Sequence, residues 1–159
     1  METADHEVLR TACDWLDAGS CVYLITVAKT FGSSPRPPGS LLALRDDGCF
    51  VGSVSGGCIE YDLAARLRED RLPMKFPDTV TYGVTRQEAQ RFGLPCGGKL
   101  ELVVESLADA APLKRILATI EARGLILRRM CLDTGEASLR PAGAEEEFSY
   151  DGRSLTKIF

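Results

Sequence analysis

Cys21-Val22-Tyr23-Leu24-Ile25-Thr26-Val27-Ala28 is an unbroken β-prone run of β-branched, aromatic and aliphatic residues. It offers water almost no polar face, so it reads as a buried strand rather than an edge. Upstream, Val8, Leu9, Ala12, Trp15 and Leu16 recur at helical spacing over 7–17, and Gly19 supplies the helix stop. Downstream, Thr30-Phe31-Gly32-Ser33-Ser34-Pro35-Arg36-Pro37-Pro38-Gly39-Ser40 excludes regular structure through its prolines and glycines.

The same reading extends along the chain. Leu41–Leu44 and Cys49–Ser53 flank an Asp47-Gly48 turn and form a hairpin. A helix follows Gly56-Gly57, with Ile59, Leu63, Ala64 and Leu67 on one face. Thr79–Tyr82 is a short strand, and Thr85 with Glu88 three residues later is a capping-box pattern for a helix reaching Phe92. Lys99–Glu105 alternates as a strand and 111–123 returns to helical spacing. The tail reads as a strand over 125–132, an acidic mobile connector over 141–147, and a hairpin through Asp151-Gly152. Strands outnumber helices without alternating strictly with them. The expectation is a single α/β or α+β domain over 1–159, with a mixed sheet, about four helices and a C-terminal β-hairpin.

Composition narrows the function. A formal charge of −4 argues against a nucleic-acid binder. No apolar run approaches the roughly 20 residues of a spanning helix. The acidic start, Met1-Glu2-Thr3-Ala4-Asp5-His6-Glu7, is no secretory signal, which leaves the cytoplasm as the expected location. The six cysteines contain no Cys-x-x-Cys pair and the only histidine is His6, so a zinc site and a Ser-His-Asp or Cys-His hydrolase both lack support. Cys13, Cys21, Cys49 and Cys131 fall in predicted helix or strand and read as core filler, and Trp15 as a packing residue.

Two cysteines stand apart, each beside a Gly-Gly pair: Gly52-Ser53-Val54-Ser55-Gly56-Gly57-Cys58-Ile59-Glu60 and Gly93-Leu94-Pro95-Cys96-Gly97-Gly98-Lys99. Cys58 falls in the first turn of a helix, where unpaired amides and the dipole favour a thiolate, with Glu60 and Asp62 opposing that shift. Cys96 precedes a strand, next to a lysine. The loop at 52–57 leads a strand into a helix N-terminus and can cradle an anion, although it lacks both P-loop and Gly-x-Gly-x-x-Gly spacing. Arg36, held among prolines, is a second anion candidate.

Together, Thr26-Val27 leading into Gly32-Ser33-Ser34-Pro35-Arg36-Pro37-Pro38-Gly39, then the Cys58 motif, then Cys96-Gly97-Gly98, resemble the XdhC/CoxI family of accessory proteins for xanthine dehydrogenase and related molybdenum hydroxylases. The resemblance covers about 7–107. It implies a chaperone, without turnover of its own, that binds the molybdenum cofactor (molybdopterin) transiently. It also implies protection of the cofactor while a cysteine desulfurase installs the sulfido ligand, and delivery to a molybdenum hydroxylase apo-enzyme. Carried over, Cys58 and Cys96 are the thiols near the cofactor, Ser55, Gly56 and Gly57 line one loop, Gly97 and Gly98 the other, and Arg36 meets an anionic group. Many family members continue into a C-terminal Rossmann-type domain, which these 159 residues do not contain. Two other readings stand beside this one: a thiol redox protein using a Cys58/Cys96 pair, and a docking module for a hydroxylase subunit with merely structural glycine loops. A homodimer is left open, and neither nucleic acid nor membrane is expected as a partner.

Overall fold

The computed structural model describes residues 3–32, 34–72, 75–94 and 98–159, Thr3 through its backbone alone. In chain order these form α1 (Thr3–Asp17), β1 (Val22–Phe31), β2 (Leu41–Arg45), β3 (Phe50–Gly52), α2 (Cys58–Arg68), β4 (Asp78–Tyr82), α3 (Arg86–Arg91), β5 (Lys99–Leu107), α4 (Ala111–Glu121), β6 (Ile126–Cys131), β7 (Ala137–Pro141), β8 (Ser149–Tyr150) and β9 (Ser154–Ile158). The mixed helix–strand class, the four helices and the C-terminal hairpin β8–β9 are as the sequence predicts. The strands divide into two sheets, β3-β2-β1-β5-β4 and β7-β6-β9-β8. Every adjacent pair in both is antiparallel. Tight turns join β2 to β3, β6 to β7 and β8 to β9, and such turns can only reverse the chain.

The uninterrupted apolar run becomes β1, the middle strand of the first sheet, covered on both faces. Side chains alternate across it. Ile25 and Val27 join Leu42, Leu44, Leu100, Leu102 and Val104 beneath α2 and α3, which contribute Ile59, Leu63, Ala64 and Ala89. Val22 and Leu24 face the other way, against Val8, Leu9 and Ala12 of α1 and Leu113 and Ile116 of α4. Ala28 and Val103 then meet Met130 and Leu155, where the second sheet packs on the first. A buried ion pair fastens the same junction: Arg128 of β6 donates through both terminal nitrogens to Glu105 of β5, at 3.1 and 2.6 Å. Each partner's side chain is about nine-tenths covered (11% and 7% exposed).

Four sequence expectations change. The one mixed sheet gives way to two wholly antiparallel ones, because every pairing, β1 with β5 and β4 with β5 included, sets strands that run in opposite directions side by side. Strand β7 was not anticipated: Ala137-Ser138-Leu139-Arg140-Pro141 has no β-branched residue, and it forms as a largely exposed edge whose proline pairs with Ile126. The acidic connector is tied down, because Glu146 accepts from Arg140 and from the Gly143 amide and donates its own amide to Gly143 O. Of the four cysteines read as core filler, only Cys13 is buried; Cys21 and Cys49 are exposed and Cys131 half-buried. Cys21 lies one residue before β1, and Cys49 sits in the β2–β3 turn beside Arg45, whose Nη2 is 3.2 Å from its sulfur.

Candidate functional site at one end of the five-stranded sheet

Antiparallel pairing brings distant motifs together. β1 ends, β2 begins, β3 ends, β4 ends and β5 begins at the same end of the sheet. The loop 32–40 with Arg36, the Gly52–Cys58 segment, Gly83 and Gly98 all emerge there. Cys96 and Gly97 lie outside the described residues, and so does any pairing of Cys96 with Cys58.

The Cys58 motif is held from below. Glu60 is 2% exposed and receives the hydroxyls of Ser55 and Ser53, the latter at 3.0 Å. Ser53 Oγ is also 2.6 Å from the Ser55 carbonyl, and the Gly57 amide donates to Ser55 Oγ at 3.3 Å. Ser55, a predicted lining residue, therefore turns its hydroxyl inward and braces the loop. On the outer side, β-carbons on Gly56 or Gly57 would meet no atom within 4 Å. Gly57 adopts φ 126°, ψ −37°, a conformation that glycine tolerates and other residues rarely adopt. The chain then turns into α2, and Cys58 at its first residue is exposed.

A second network sets the direction of α2. Tyr82, fully buried at the end of β4, donates to Asp62 at 2.6 Å. The Arg66 guanidinium lies 2.8 Å from the same carboxylate and 4.7 Å from the centre of the Tyr82 ring. Burial, and secondarily the hydrogen bond to Asp62, push the Tyr82 hydroxyl far above the ordinary phenol range. It is a fixed donor, suited to orienting a helix rather than exchanging protons.

Loop 32–40 is closed by backbone bonds from Val27 N to Ser40 O and from Gly39 N to Val27 O. Arg36 is exposed and donates to the adjoining Pro35 carbonyl at 3.2 Å. It borders a cleft of about 640 Å³ that Ser40, Gly52, Ser53, Asp5 and Lys157 also line. The volume suits a small-molecule ligand. Lys157 and Asp5 pair across it at 2.9 Å, and Lys157 also donates to Gly39 O at 2.7 Å. Cys58 is not among the described residues lining this cleft. Gly98 is packed by backbone: a β-carbon on Gly32 would lie 3.5 Å from its Cα, and one on Gly83 would collide with its carbonyl oxygen.

Glu60 and Asp62 are residues whose roles the sequence reading missed, treating them only as charges near a thiol. The signal was present. With Gly57 as N-cap, Glu60 occupies the third helical position, where a capping box places a glutamate to reach back across the turn. Here it reaches further, to Ser53 and Ser55. Among the described residues no three of His, Cys, Asp or Glu converge as a metal cage, and no helix is long and apolar enough to cross a membrane.

Residues 15–83 match the profile of the XdhC and CoxI family. Within this segment lie Arg36, Ser55, Gly56, Gly57 and Cys58, and beyond it Cys96, Gly97 and Gly98. The molybdenum cofactor insertion chaperone PaoD of Escherichia coli (strain K12) is 33% identical over 131 residues, which is 76% of this chain and 38% of that protein. A crystal structure reported as a xanthine dehydrogenase from Bacillus halodurans matches with TM-score 0.69 at 22% identity, covering 98% of this chain and 52% of that one. At that identity the likeness is one of fold. The XdhC and CoxI segment thus sits in a chain spanning under two fifths of the PaoD length and about half of the solved relative.

Proposed function

We propose that this chain is an accessory protein that carries the molybdenum cofactor to a molybdenum hydroxylase, acting without turnover of its own as a single domain. One observation carries the reading: the Cys58 thiol and the open Gly56-Gly57 backbone are presented at the sheet end by a buried Ser53–Ser55–Glu60 brace, where the Arg36 loop also converges. A helix N-terminus suits an anion, and an exposed sulfur suits a soft metal. The residues present therefore fit a cargo that is both. The PaoD likeness favours the same cargo.

In this reading Cys58 and Cys96 supply the thiols for the metal end of the cargo, and Gly97 and Gly98 line it as the second glycine pair. Gly56 and Gly57 admit it closely, and Arg36 pairs with an anionic group. Ser55 and Glu60 position the loop. The molybdenum cofactor would supply the redox-active metal that a hydroxylase needs, and the chain's own residues would hold it. Receipt of the sulfido ligand from a cysteine desulfurase, transfer to the apo-enzyme and a cytoplasmic setting complete the proposal.

The test is anaerobic, reducing incubation of the purified chain with released molybdenum cofactor, followed by gel filtration with molybdenum and pterin assays on the protein fraction. Co-elution near one cofactor per chain is expected, reduced in Cys58→Ala. No co-elution, or equal co-elution in the variant, refutes the carrier reading or the thiol's part in it, respectively.

A further inference from the structure

Outside the motifs assigned above, the same sheet end carries an arrangement of two cations on one ring. Phe31, the last residue of β1, is 40% exposed. Lys29 Nζ lies 4.8 Å from its ring centre and Lys99 Nζ 5.2 Å. The placement follows from the backbone. Lys29 is two residues before Phe31 on the same strand, and Lys99 is the residue directly paired with Phe31 across β5. All three side chains therefore rise from one face. The two ammonium groups are at most about 10 Å apart, the sum of their distances to one point.

Among the described residues neither ammonium belongs to an ion pair, whereas Asp5, Asp17, Asp47, Asp62, Glu69, Glu105, Glu121 and Glu146 are each engaged by another cation. Glu101 stands opposite Lys29 in the sheet register without forming an ion pair with it, so the carboxylate flanks the two ammonium groups on one side only. An unpaired pair of like charges converging on one point, in a chain of net charge −4, is an attractor for an anion. Its place is specific: Gly32 follows Phe31 and Gly98 precedes Lys99, and a β-carbon added to Gly32 would lie 3.5 Å from the Gly98 Cα. The lysines thus stand on the two chain segments that meet there, one leading to the Arg36 loop and the other following Cys96-Gly97-Gly98.

We infer that Lys29 and Lys99, steadied by the Phe31 ring, form a phosphate subsite that takes the phosphate of the carried pterin. This rests on the carrier reading for the identity of the ligand, and on the lysine geometry alone for its charge. Aromatic contact limits the freedom of two long side chains before binding, and each ammonium then supplies a charge-assisted hydrogen bond.

The test uses the full chain and two probes, inorganic pyrophosphate by calorimetry and released molybdenum cofactor by co-elution. Each lost charge-assisted bond is expected to weaken binding by roughly tenfold, so Lys29→Gln/Lys99→Gln should lose pyrophosphate binding by a hundredfold or beyond detection. Lys29→Arg/Lys99→Arg should retain it. Lys114→Gln/Arg115→Gln, which removes the same two charges from α4, should leave it unchanged; an equal loss there would make the effect one of net charge and overturn the site. Circular dichroism checks that each variant is folded. Cofactor that binds the parent and the double glutamine variant equally overturns the subsite while leaving the carrier reading intact. Pyrophosphate binding that needs the two lysines, without any cofactor binding, supports the subsite and overturns the carrier reading.

Discussion

Replacing Glu60 with alanine should unseat the Cys58 loop. The carboxylate is 2% exposed and receives two hydroxyls, from Ser53 and from Ser55, itself 1% exposed. Hydrogen bonds to a charged group contribute about 1.5–3 kcal/mol each, and a buried hydroxyl left without an acceptor costs about 1–3 kcal/mol. Ser53 keeps an alternative acceptor in the Ser55 carbonyl, so only Ser55 is stranded. Relief from burying a carboxylate offsets part of the loss. The net expectation is a destabilisation of about 2–4 kcal/mol, read from the urea midpoint at constant slope. Hydrogen exchange should localise it, because the Gly57 amide loses its anchored acceptor when Ser55 Oγ swings free. A double-mutant cycle with Ser55→Ala should return a coupling above about 1 kcal/mol. A loss below about 0.5 kcal/mol, or additive singles, would refute the brace.

Three further outcomes follow from particular residues. Gly57→Ala should cost about 1–3 kcal/mol, because φ 126° is unsuited to a β-carbon although nothing crowds it, whereas Gly56→Ala should be near neutral; equal effects in thermal melts would contradict this. Arg128→Ala should cost about 3–5 kcal/mol by leaving Glu105 buried and unpaired, while Glu105→Leu/Arg128→Met should recover most of it in the same denaturation assay. The Thr134 hydroxyl, then the Thr134 and Asp133 amides, hold the Cys131 thiol below its ordinary range, so its thiolate absorbance, lost in Cys131→Ser, should rise at lower pH in the folded protein than in urea. A folded value below the unfolded one adds stability as pH rises through the folded value, and Thr134→Val should shrink that gain.

Much of the fold was readable because it follows from local pattern. The apolar run of β1, the Asp-Gly turns and the Thr85–Glu88 cap each act over a few residues, and each appears where expected. The division into two sheets was not readable, since it depends on which strands pair across long separations. The edge strand β7 escaped for a different reason: its residues have no preference for strand, and pairing with β6 alone recruits them. At the candidate site, the glycines and Cys58 announced themselves through composition. Asp62, Lys29 and Phe31 did not, because their significance comes from neighbours across the fold, Tyr82 and Lys99, whereas Glu60 stood at a capping-box position only five and seven residues from its partners.

Gly98 sits with one backbone against Gly32 and another against Gly83. At Gly83 the room is filled by the Gly98 carbonyl, the Leu94 side chain and the Lys99 backbone, so any side chain there has to push the start of β5 aside. A Gly83→Ala exchange thus reaches Lys99 through the main chain, without touching either lysine's side chain.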